Sequence, residues 1–194
     1  MQITIPQGFQ VTPRQFEQIA EVEEINKLEL TASGELIVMP PTGGDTGRKN
    51  SELNFQLVNW SKQDGTGVCF DSSTLFILPN GARRSPDVSW LLKSRWNQLS
   101  AQDKRKFPPI APDFVIELVS PSDTSLPRYK ELQSKMLEYI DNGVRLGWLI
   151  NPDQKIVKIY RSNQPVEIVE NPTVLRGENV LPDFTLDLSE IFDD

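Results

Sequence analysis

The chain has 194 residues, of which 38% are hydrophobic and 24% charged, an ordinary composition for a globular protein able to bury one sizeable core. With 20 basic and 27 acidic side chains the formal charge is -7, which disfavours a general attraction to polyanions. Histidine is absent, so Ser-His-Asp and Cys-His catalysis and histidine zinc sites are excluded. Any chemistry must therefore use Asp, Glu, Lys, Tyr or Ser, with or without a hard metal ion.

The sequence predicts an intracellular protein without a membrane span. The single cysteine, Cys69, cannot form an intramolecular disulfide, and the first residues lack the basic start and apolar run of a secretory signal. The apolar segments FVIELVS and LGWLI are much shorter than the roughly 20 residues needed to cross a bilayer. We therefore expect one domain over residues 1–194, in the reducing environment of the cytoplasm.

The N-terminal third predicts two helices and a hairpin. Thr12-Pro13 is a typical helix start, and apolar residues at helical spacing extend the predicted helix over residues 13–26. Residues 28–31 and 35–39 flank a glycine-bearing turn and predict two paired strands. After a loop rich in glycine and proline, helical spacing returns and predicts a second helix over residues 47–62.

The rest of the chain predicts strands arranged around one long helix. The helix is predicted over residues 126–141, where apolar side chains form one stripe and Asn142-Gly143 provides a left-handed cap. The polar segment 93–106 is helical or irregular. Runs rich in apolar and β-branched residues predict strands at 68–71, 74–78, 87–92, 114–119, 144–150 and 156–160, with a further candidate at 166–169. This order predicts a mixed-sheet α/β fold with an N-terminal helix and β-hairpin, rather than a doubly wound parallel sheet.

Glu117 is the strongest functional candidate. It lies within the strand FVIELVS, whose neighbours are apolar on both faces, and burying an unpaired carboxylate there would be costly. Charged residues in such strands often mark functional sites. The alternative is a buried ion pair, or a carboxyl group with a raised pKa, that has no function.

Three other side chains are weaker candidates taken alone. Asp87 opens an apolar strand directly after Arg83-Arg84, although Ser-Pro-Asp is also an ordinary turn sequence. Lys135 lies at the rim of the apolar stripe on the helix over 126–141, where a lysine commonly packs its stem and extends its ammonium into water. Glu52 lies on the second predicted helix, where a solvated face is the alternative.

Five sequence blocks occur in order along nearly the whole chain: GELIVMPPTGGDTGRKNSEL, FDSSTLFILPNGARRSPDVSW, APDFVIELVSPSD, LQSKMLEYIDNGVRLGWLINP and LPDFTLDLSEIF. In these blocks the sequence resembles the Uma2 family, a group classed with the restriction endonucleases and abundant in cyanobacteria. The resemblance implies the restriction-endonuclease-like α/β fold of PD-(D/E)XK nucleases, a mixed β-sheet flanked by helices. That fold agrees with the order of elements predicted from the residues.

The resemblance also implies a catalytic set. In the superfamily the site combines an Asp after a proline, a second acid on the neighbouring strand and a lysine two residues beyond it. Pro86-Asp87 and Glu117 match the first two positions, but Val119 occupies the lysine position. Lys135 matches the place on the following helix to which the lysine moves in Uma2-like proteins, and Glu52 matches a helical acid that related nucleases use as an auxiliary metal contact.

A metal-dependent nuclease is physically consistent with these residues. On adjacent strands Asp87 and Glu117 would repel each other unless a hard cation such as Mg²⁺ or Mn²⁺ joined them. The ion would polarise a scissile phosphate, while Lys135 would orient the attacking water or neutralise developing charge. Together with this chemistry, the resemblance implies a Mg²⁺-dependent endonuclease that hydrolyses phosphodiester bonds in DNA, with Asp87, Glu117, Lys135 and Glu52 in its site.

Two other functions remain open. The chain could be a non-catalytic DNA-binding or protein-interaction module that retains the nuclease fold, or a glycoside hydrolase with Asp87 and Glu117 as acid and base. The acidic balance argues against DNA, so we expect either a small basic rim or DNA binding supplied by a partner. Candidate basic residues are Arg48-Lys49, Arg83-Arg84, Lys104-Arg105-Lys106 and Arg128 with Lys130. A homodimer, by analogy, would place two sites for double-strand cleavage.

Overall fold

The computed structural model describes residue 6 and residues 8–192. The helices of this part of the chain are α1 (Pro13–Ala20), α2 (Gly44–Asp64), α3 (Lys93–Gln98), α4 (Ala101–Arg105), α5 (Leu126–Asp141) and α6 (Ser189–Phe192). The strands are β1 (Lys27–Leu30), β2 (Leu36–Met39), β3 (Gly67–Asp71), β4 (Phe76–Ile77), β5 (Arg83–Arg84), β6 (Val88–Leu92), β7 (Phe114–Leu118), β8 (Leu146–Asn151), β9 (Ile156–Arg161), β10 (Glu167–Glu170), β11 (Val174–Arg176) and β12 (Thr185–Asp187). No helix among these is both long and apolar enough to traverse a bilayer.

The centre of the fold is a six-stranded mixed sheet in the order β10-β9-β8-β7-β6-β3. Strands β7 and β8 are parallel, because α5 crosses over between them, whereas β6 pairs with β7 in the antiparallel sense. A second sheet, β2-β1-β5-β4, contains the N-terminal hairpin, and β11 and β12 form a separate pair. The predicted mixed α/β fold with flanking helices and an N-terminal hairpin is confirmed.

The two faces of the central sheet have different cores. Alternate residues of β7 point to opposite faces, so Ile116 packs in a cluster that includes Leu53 of α2, whereas Val115 packs with Met136 and Tyr139 of α5. Helices α2 and α5 therefore cover opposite faces of this sheet. By the same alternation, Glu117 lies on the α5 face.

Several predicted boundaries were wrong. Helix α1 ends at Ala20 rather than residue 26, since the carboxylate of Glu23 accepts the backbone amides of Ile25 and Asn26 and closes a turn. Helix α2 begins at Gly44, inside the predicted loop, and ends before Gly65, whose left-handed φ of 73° terminates it. The predicted strand 74–78 is reduced to β4. The polar segment 93–106, in contrast, contains α3 and α4, in agreement with the prediction that it is helical or irregular.

Four short elements were not predicted, namely β5, β11, β12 and α6. Each has two to four residues, too few to show a hydrophobic period. Helix α5, in contrast, spans the predicted residues 126–141, because its apolar stripe and terminal glycine are both strong local signals. Among these elements, β5 matters most for the candidate site described below, because it places Arg84 between β1 and α5.

Candidate active site

Glu117 is the penultimate residue of β7 and is 4% exposed. Its side chain points towards α5, where the hydroxyl of Tyr139 donates to Oε1 at 3.0 Å. The ammonium Nζ of Lys135 lies 2.7 Å from the same oxygen. The buried carboxylate is thus compensated by two donors from one helix, as the cost of burying its charge requires.

Lys135 connects two buried carboxylates. Its Nζ lies 2.8 Å from Oε1 of Glu29 as well as 2.7 Å from Oε1 of Glu117. The side chain is 10% exposed, so the ammonium is directed at the two acids and not into bulk water. The structure therefore brings together Glu117 and Lys135, two of the residues predicted from sequence, and adds Glu29 to them.

Glu29 was missed by the sequence reasoning. It lies in β1, is 1% exposed, and accepts the backbone amide of Ser85 at 2.9 Å through Oε1. Its other oxygen lies 3.1 Å from Nη1 of Arg84. The available signal was a carboxylate between two leucines in the segment KLEL, which is the same signal that identified Glu117. In a four-residue hairpin strand, however, such alternation is also typical of a solvated face.

Arg84 is an internal residue rather than a contact for nucleic acid. Besides Glu29, it binds Glu138 of α5 through Nε at 2.6 Å. Its neighbour Arg83 pairs with Glu17 of α1 at 3.2 Å, and both arginines are buried. The expectation that Arg83-Arg84 supplies local positive surface charge was wrong, because β5 directs these two side chains into ion pairs between the hairpin sheet and the helices.

Asp87 is held at the start of β6 beside Glu117. Because Val88 pairs with Ile116 in the antiparallel β6-β7 ladder, the preceding residue Asp87 lies opposite Glu117. Its Oδ2 accepts the backbone amide of Leu118 at 2.9 Å, and its Oδ1 lies 3.6 Å from Nζ of Lys27. The cationic neighbour of Asp87 is therefore Lys27 of β1, not the arginines that precede it in the sequence.

Glu52 lies on α2, on the opposite side of the central sheet from α5. Its carboxylate accepts a hydrogen bond from Nε2 of Gln56, one helical turn away, at 2.9 Å. The same amide nitrogen donates to the backbone carbonyl of Asp187 at 3.0 Å. The contacts of the described residues thus place Glu52 in the packing of α2 against the C-terminal segment, and do not bring it to Asp87, Glu117 and Lys135.

The carboxylates of Glu29 and Glu117 share one lysine and differ in their proton affinity. Burial, reinforced by the negative charge of Asp87, raises the pKa of Glu117 to about 7 despite the opposing effect of Lys135. Burial also disfavours ionisation of Glu29, but Lys135 and Arg84 together outweigh it and lower the pKa of Glu29 to about 2. Near neutral pH, Glu29 is therefore the ionised partner of Lys135, and Glu117 is poised between its two protonation states.

Burial alone would favour the neutral amine of Lys135. The charges of Glu117 and Glu29 exceed that effect and raise the pKa of Lys135 above its ordinary value. The side chain is consequently a permanent cation at neutral pH. It can donate hydrogen bonds and neutralise negative charge, but it cannot act as a general base.

The raised pKa of Glu117 predicts a pH-dependent stability. Between pH 4.5 and about 7 the folded protein retains a proton that the unfolded chain releases, so the free energy of unfolding should fall as pH rises through this window. We expect a decrease of roughly 3 kcal/mol in metal-free protein from this group. Urea unfolding at several pH values would measure it, with Glu117→Gln as the reference that lacks the titration. Parallel pH profiles for the two proteins would contradict the prediction.

The cluster combines hard oxygen donors with cationic side chains. Four carboxylates, those of Glu29, Asp87, Glu117 and Glu138, surround three cations, Lys27, Arg84 and Lys135. Asp87 and Glu117 supply hard oxygen donors, and Lys135 supplies a cation beside them. Within the described part of the chain, no three acidic or cysteine side chains are grouped as metal ligands, so a metal here would have to rely on two carboxylates, water and substrate oxygens.

Comparison with known proteins gives consistent results. A solved structure, described as a "putative nuclease belonging to DUF820" from Anabaena variabilis ATCC 29413, superposes with a TM-score of 0.73. The two chains are 22% identical, and the match covers 91% of this chain and 96% of that one, which establishes a shared fold. No curated protein matches significantly. The model of the family Uma2, described as "Putative restriction endonuclease", matches residues 13–189. This range includes Glu29, Asp87, Glu117 and Lys135. The chain therefore belongs to the Uma2 family.

Proposed function

We propose that this protein is a Mg²⁺- or Mn²⁺-dependent endonuclease that hydrolyses phosphodiester bonds in DNA. The observation that carries the proposal is the convergence of Asp87, Glu117 and Lys135, from β6, β7 and α5, at one buried cluster. Burying a group of acids around a lysine costs desolvation energy, and such costly clusters with shifted pKa values are common at functional sites. The family description and the nuclease-like fold support the same reaction class.

The donor set fits a hard divalent cation. Asp87 and Glu117 would hold the ion, since carboxylate oxygens are the protein ligands that Mg²⁺ prefers and one or two commonly suffice. Tyr139 and Lys135 both contact Oε1 of Glu117, and Oδ2 of Asp87 accepts the amide of Leu118. When bound, the ion would polarise the phosphate and lower the pKa of the attacking water.

The remaining chemistry would be performed by the side chains around that pair. Lys135, kept protonated by Glu29 and Glu117, would donate to a phosphate oxygen and offset the negative charge that develops in the transition state. Tyr139 fixes the orientation of the Glu117 carboxylate. Arg84 holds Glu29 and Glu138, and so positions β1 against α5 without touching the reacting atoms.

The metal-binding part of the proposal predicts a titratable site. Calorimetry with Mn²⁺ or Mg²⁺ should detect binding to the wild type that is lost in Asp87→Asn and in Glu117→Gln. Because Glu117 must be ionised to bind, affinity should increase as pH rises from 6 to 8, with release of a proton. Glu52→Gln, which removes a carboxylate on the opposite side of the sheet, is the matched control. Equal metal binding by all three variants would refute the assignment.

One observation favours the alternative of a non-catalytic module. Lys135 already lies between Glu29 and Glu117, so the cluster is compensated by an internal cation. A protein that kept the fold only for binding would need no metal. DNA binding unaffected by divalent ions, together with the absence of cleavage in Mg²⁺ and in Mn²⁺, would identify that function.

A further inference from the structure

A groove lined by aromatic and basic side chains lies apart from the carboxylate cluster, the group formed by Glu29, Asp87, Glu117 and Lys135. It has a volume of about 330 Å³ and lies where α3 and the segment after α4 face β3 and the loop that follows it. Three rings, Phe70, Trp96 and Phe107, and two amines, those of Lys104 and Lys106, contribute to its walls. Its volume is at the lower end of the range for small-molecule sites, roughly 300 to 1,000 Å³.

The rings of the groove are partly open to solvent and are packed against other rings, Phe70 against Trp96 and Phe107 against Phe16. The centroids of Phe70 and Trp96 lie 5.2 Å apart in an edge-to-face arrangement, and all three ring-bearing residues are only partly buried. Nζ of Lys104 lies 5.4 Å from the Trp96 ring centroid, in cation-π contact. An aromatic surface with an ammonium over one of its rings matches a nucleotide, since a flat base can replace the ammonium on that ring while the ammonium moves to the phosphate.

The charge of the surrounding surface also favours an anion. Lys104, Arg105 and Lys106 form a basic run in a chain whose net charge is -7. Two other basic clusters are directed elsewhere: Arg83 and Arg84 are buried in ion pairs, and Lys49 is buried against Asp45. The groove therefore lies at a basic surface whose side chains can still contact a polyanion.

The acidic side chains close to the groove are engaged locally. Oδ1 of Asp71 accepts both the amide and the hydroxyl of Ser73, at 3.0 and 2.5 Å. Asp103 of α4 accepts the hydroxyl of its N-cap residue, Ser100, at 2.6 Å. These carboxylates reduce the local positive charge. Their hydrogen bonds hold them at the loop and at the helix start, and neither residue lines the groove.

One short segment connects the groove to the carboxylate cluster. Ser73 and Thr74 line the groove, and the carbonyls of Ser72 and Thr74 accept the hydroxyl of Ser85 at 2.7 and 3.0 Å. The amide of the same Ser85 donates to Glu29. The 72–74 segment thus contacts the groove directly and the Glu29 carboxylate through Ser85.

We propose that this groove binds a base and its phosphate from an unpaired stretch of the nucleic-acid strand on which the carboxylate site acts. Trp96 and the neighbouring rings provide the stacking surface, and Lys104 and Lys106 bind the phosphate. The proposal rests on the proposed function for its biological substrate. It makes a separate prediction, however, because stacking and phosphate binding need neither the metal nor cleavage.

The test is the binding of a fluorescein-labelled single-stranded oligodeoxynucleotide in EDTA, measured by anisotropy. Trp96→Ala should weaken binding by about tenfold or more, whereas Trp96→Phe, which keeps a ring, should retain most of the affinity. Lys104→Gln and Lys106→Gln should each reduce the slope of log K against log salt by about 0.7. Lys62→Gln on α2, an exposed lysine with the same charge change, is the control and should leave the slope nearly unchanged.

An oligonucleotide of equal length with abasic sites in its central stretch distinguishes base binding from simple charge attraction. The proposal expects this strand to bind about tenfold more weakly than the normal one and to be insensitive to Trp96→Ala. Equal affinity for the two strands, or a folded Trp96→Ala that binds like the wild type, would overturn it. Base-dependent binding without cleavage in any divalent ion would leave the groove assigned and refute the nuclease function instead.

Discussion

Lys135→Met is expected to lower phosphodiester cleavage by about two orders of magnitude or more, the usual scale for removing one electrostatic contact to a transition state. The expectation rests on the position of Nζ, 2.7 Å from Glu117 and 2.8 Å from Glu29, which keeps the side chain protonated beside the proposed metal ligands. Cleavage of plasmid and single-stranded DNA in Mg²⁺ or Mn²⁺ at low salt would measure the effect, since weak phosphate contacts are lost as salt rises.

The same substitution should also alter stability and metal binding. Methionine preserves the packed stem but leaves two buried carboxylates without their shared cation, and we expect a cost of about 3–5 kcal/mol in the free energy of unfolding. Divalent metal binding should persist, because Asp87 and Glu117 are intact and the competing ammonium is gone. Activity must therefore be compared at a temperature where circular dichroism shows the variant folded.

Two further variants separate catalysis from folding. Lys135→Arg retains a cation and should recover much of the stability, but it changes the position of the donor and should remain impaired in cleavage. Lys130→Met, an exposed lysine on the same helix, should cleave like the wild type. Unchanged cleavage by folded Lys135→Met would mean that this lysine is a structural ion-pair partner, and the proposed mechanism would have the wrong third residue.

The sequence predicted best those features that depend on local pattern. Helix α5 was placed correctly because a periodic apolar stripe marks its length and Asn142-Gly143 marks its C-terminal end. Glu117 stood out because the other four residues of its strand are apolar, so its burial could be inferred without knowing its partners. Both inferences used only residues adjacent in the chain.

What could not be predicted depends on long-range packing. Glu29 contacts Lys135 across 106 positions of sequence, and β1, which carries Glu29, pairs with a two-residue strand, β5, that shows no periodic signal. Arg84 is directed inwards by the same strand, although its position beside Arg83 in the sequence suggested an exposed basic pair. The location of Glu52 relative to the other acids likewise depends on which face of the central sheet each helix covers.

Glu29 and Glu117 should respond in opposite ways to the loss of their charge. Glu29→Gln removes the ionised partner of both Lys135 and Arg84, and we expect it to cost about 3–5 kcal/mol in the free energy of unfolding at pH 8, as for breaking other buried pairs. The contribution of Glu29 exists above its unfolded pKa and is lost as pH falls towards about 2. The deficit of Glu29→Gln should therefore be smaller in acid than at pH 8.

Glu117→Gln, in contrast, should leave the metal-free protein as stable as the wild type or more stable, by about 1 kcal/mol or more at pH 8. At that pH the wild-type carboxyl group must ionise in a buried position beside Asp87, whereas glutamine carries no charge and can still accept from Tyr139. Urea unfolding of both variants at pH 5 and pH 8, without metal, would test the contrast. A large loss of stability in Glu117→Gln would show that Lys135 depends on Glu117 as much as on Glu29, and that the pair is a structural ion bridge rather than a site held ready for a metal.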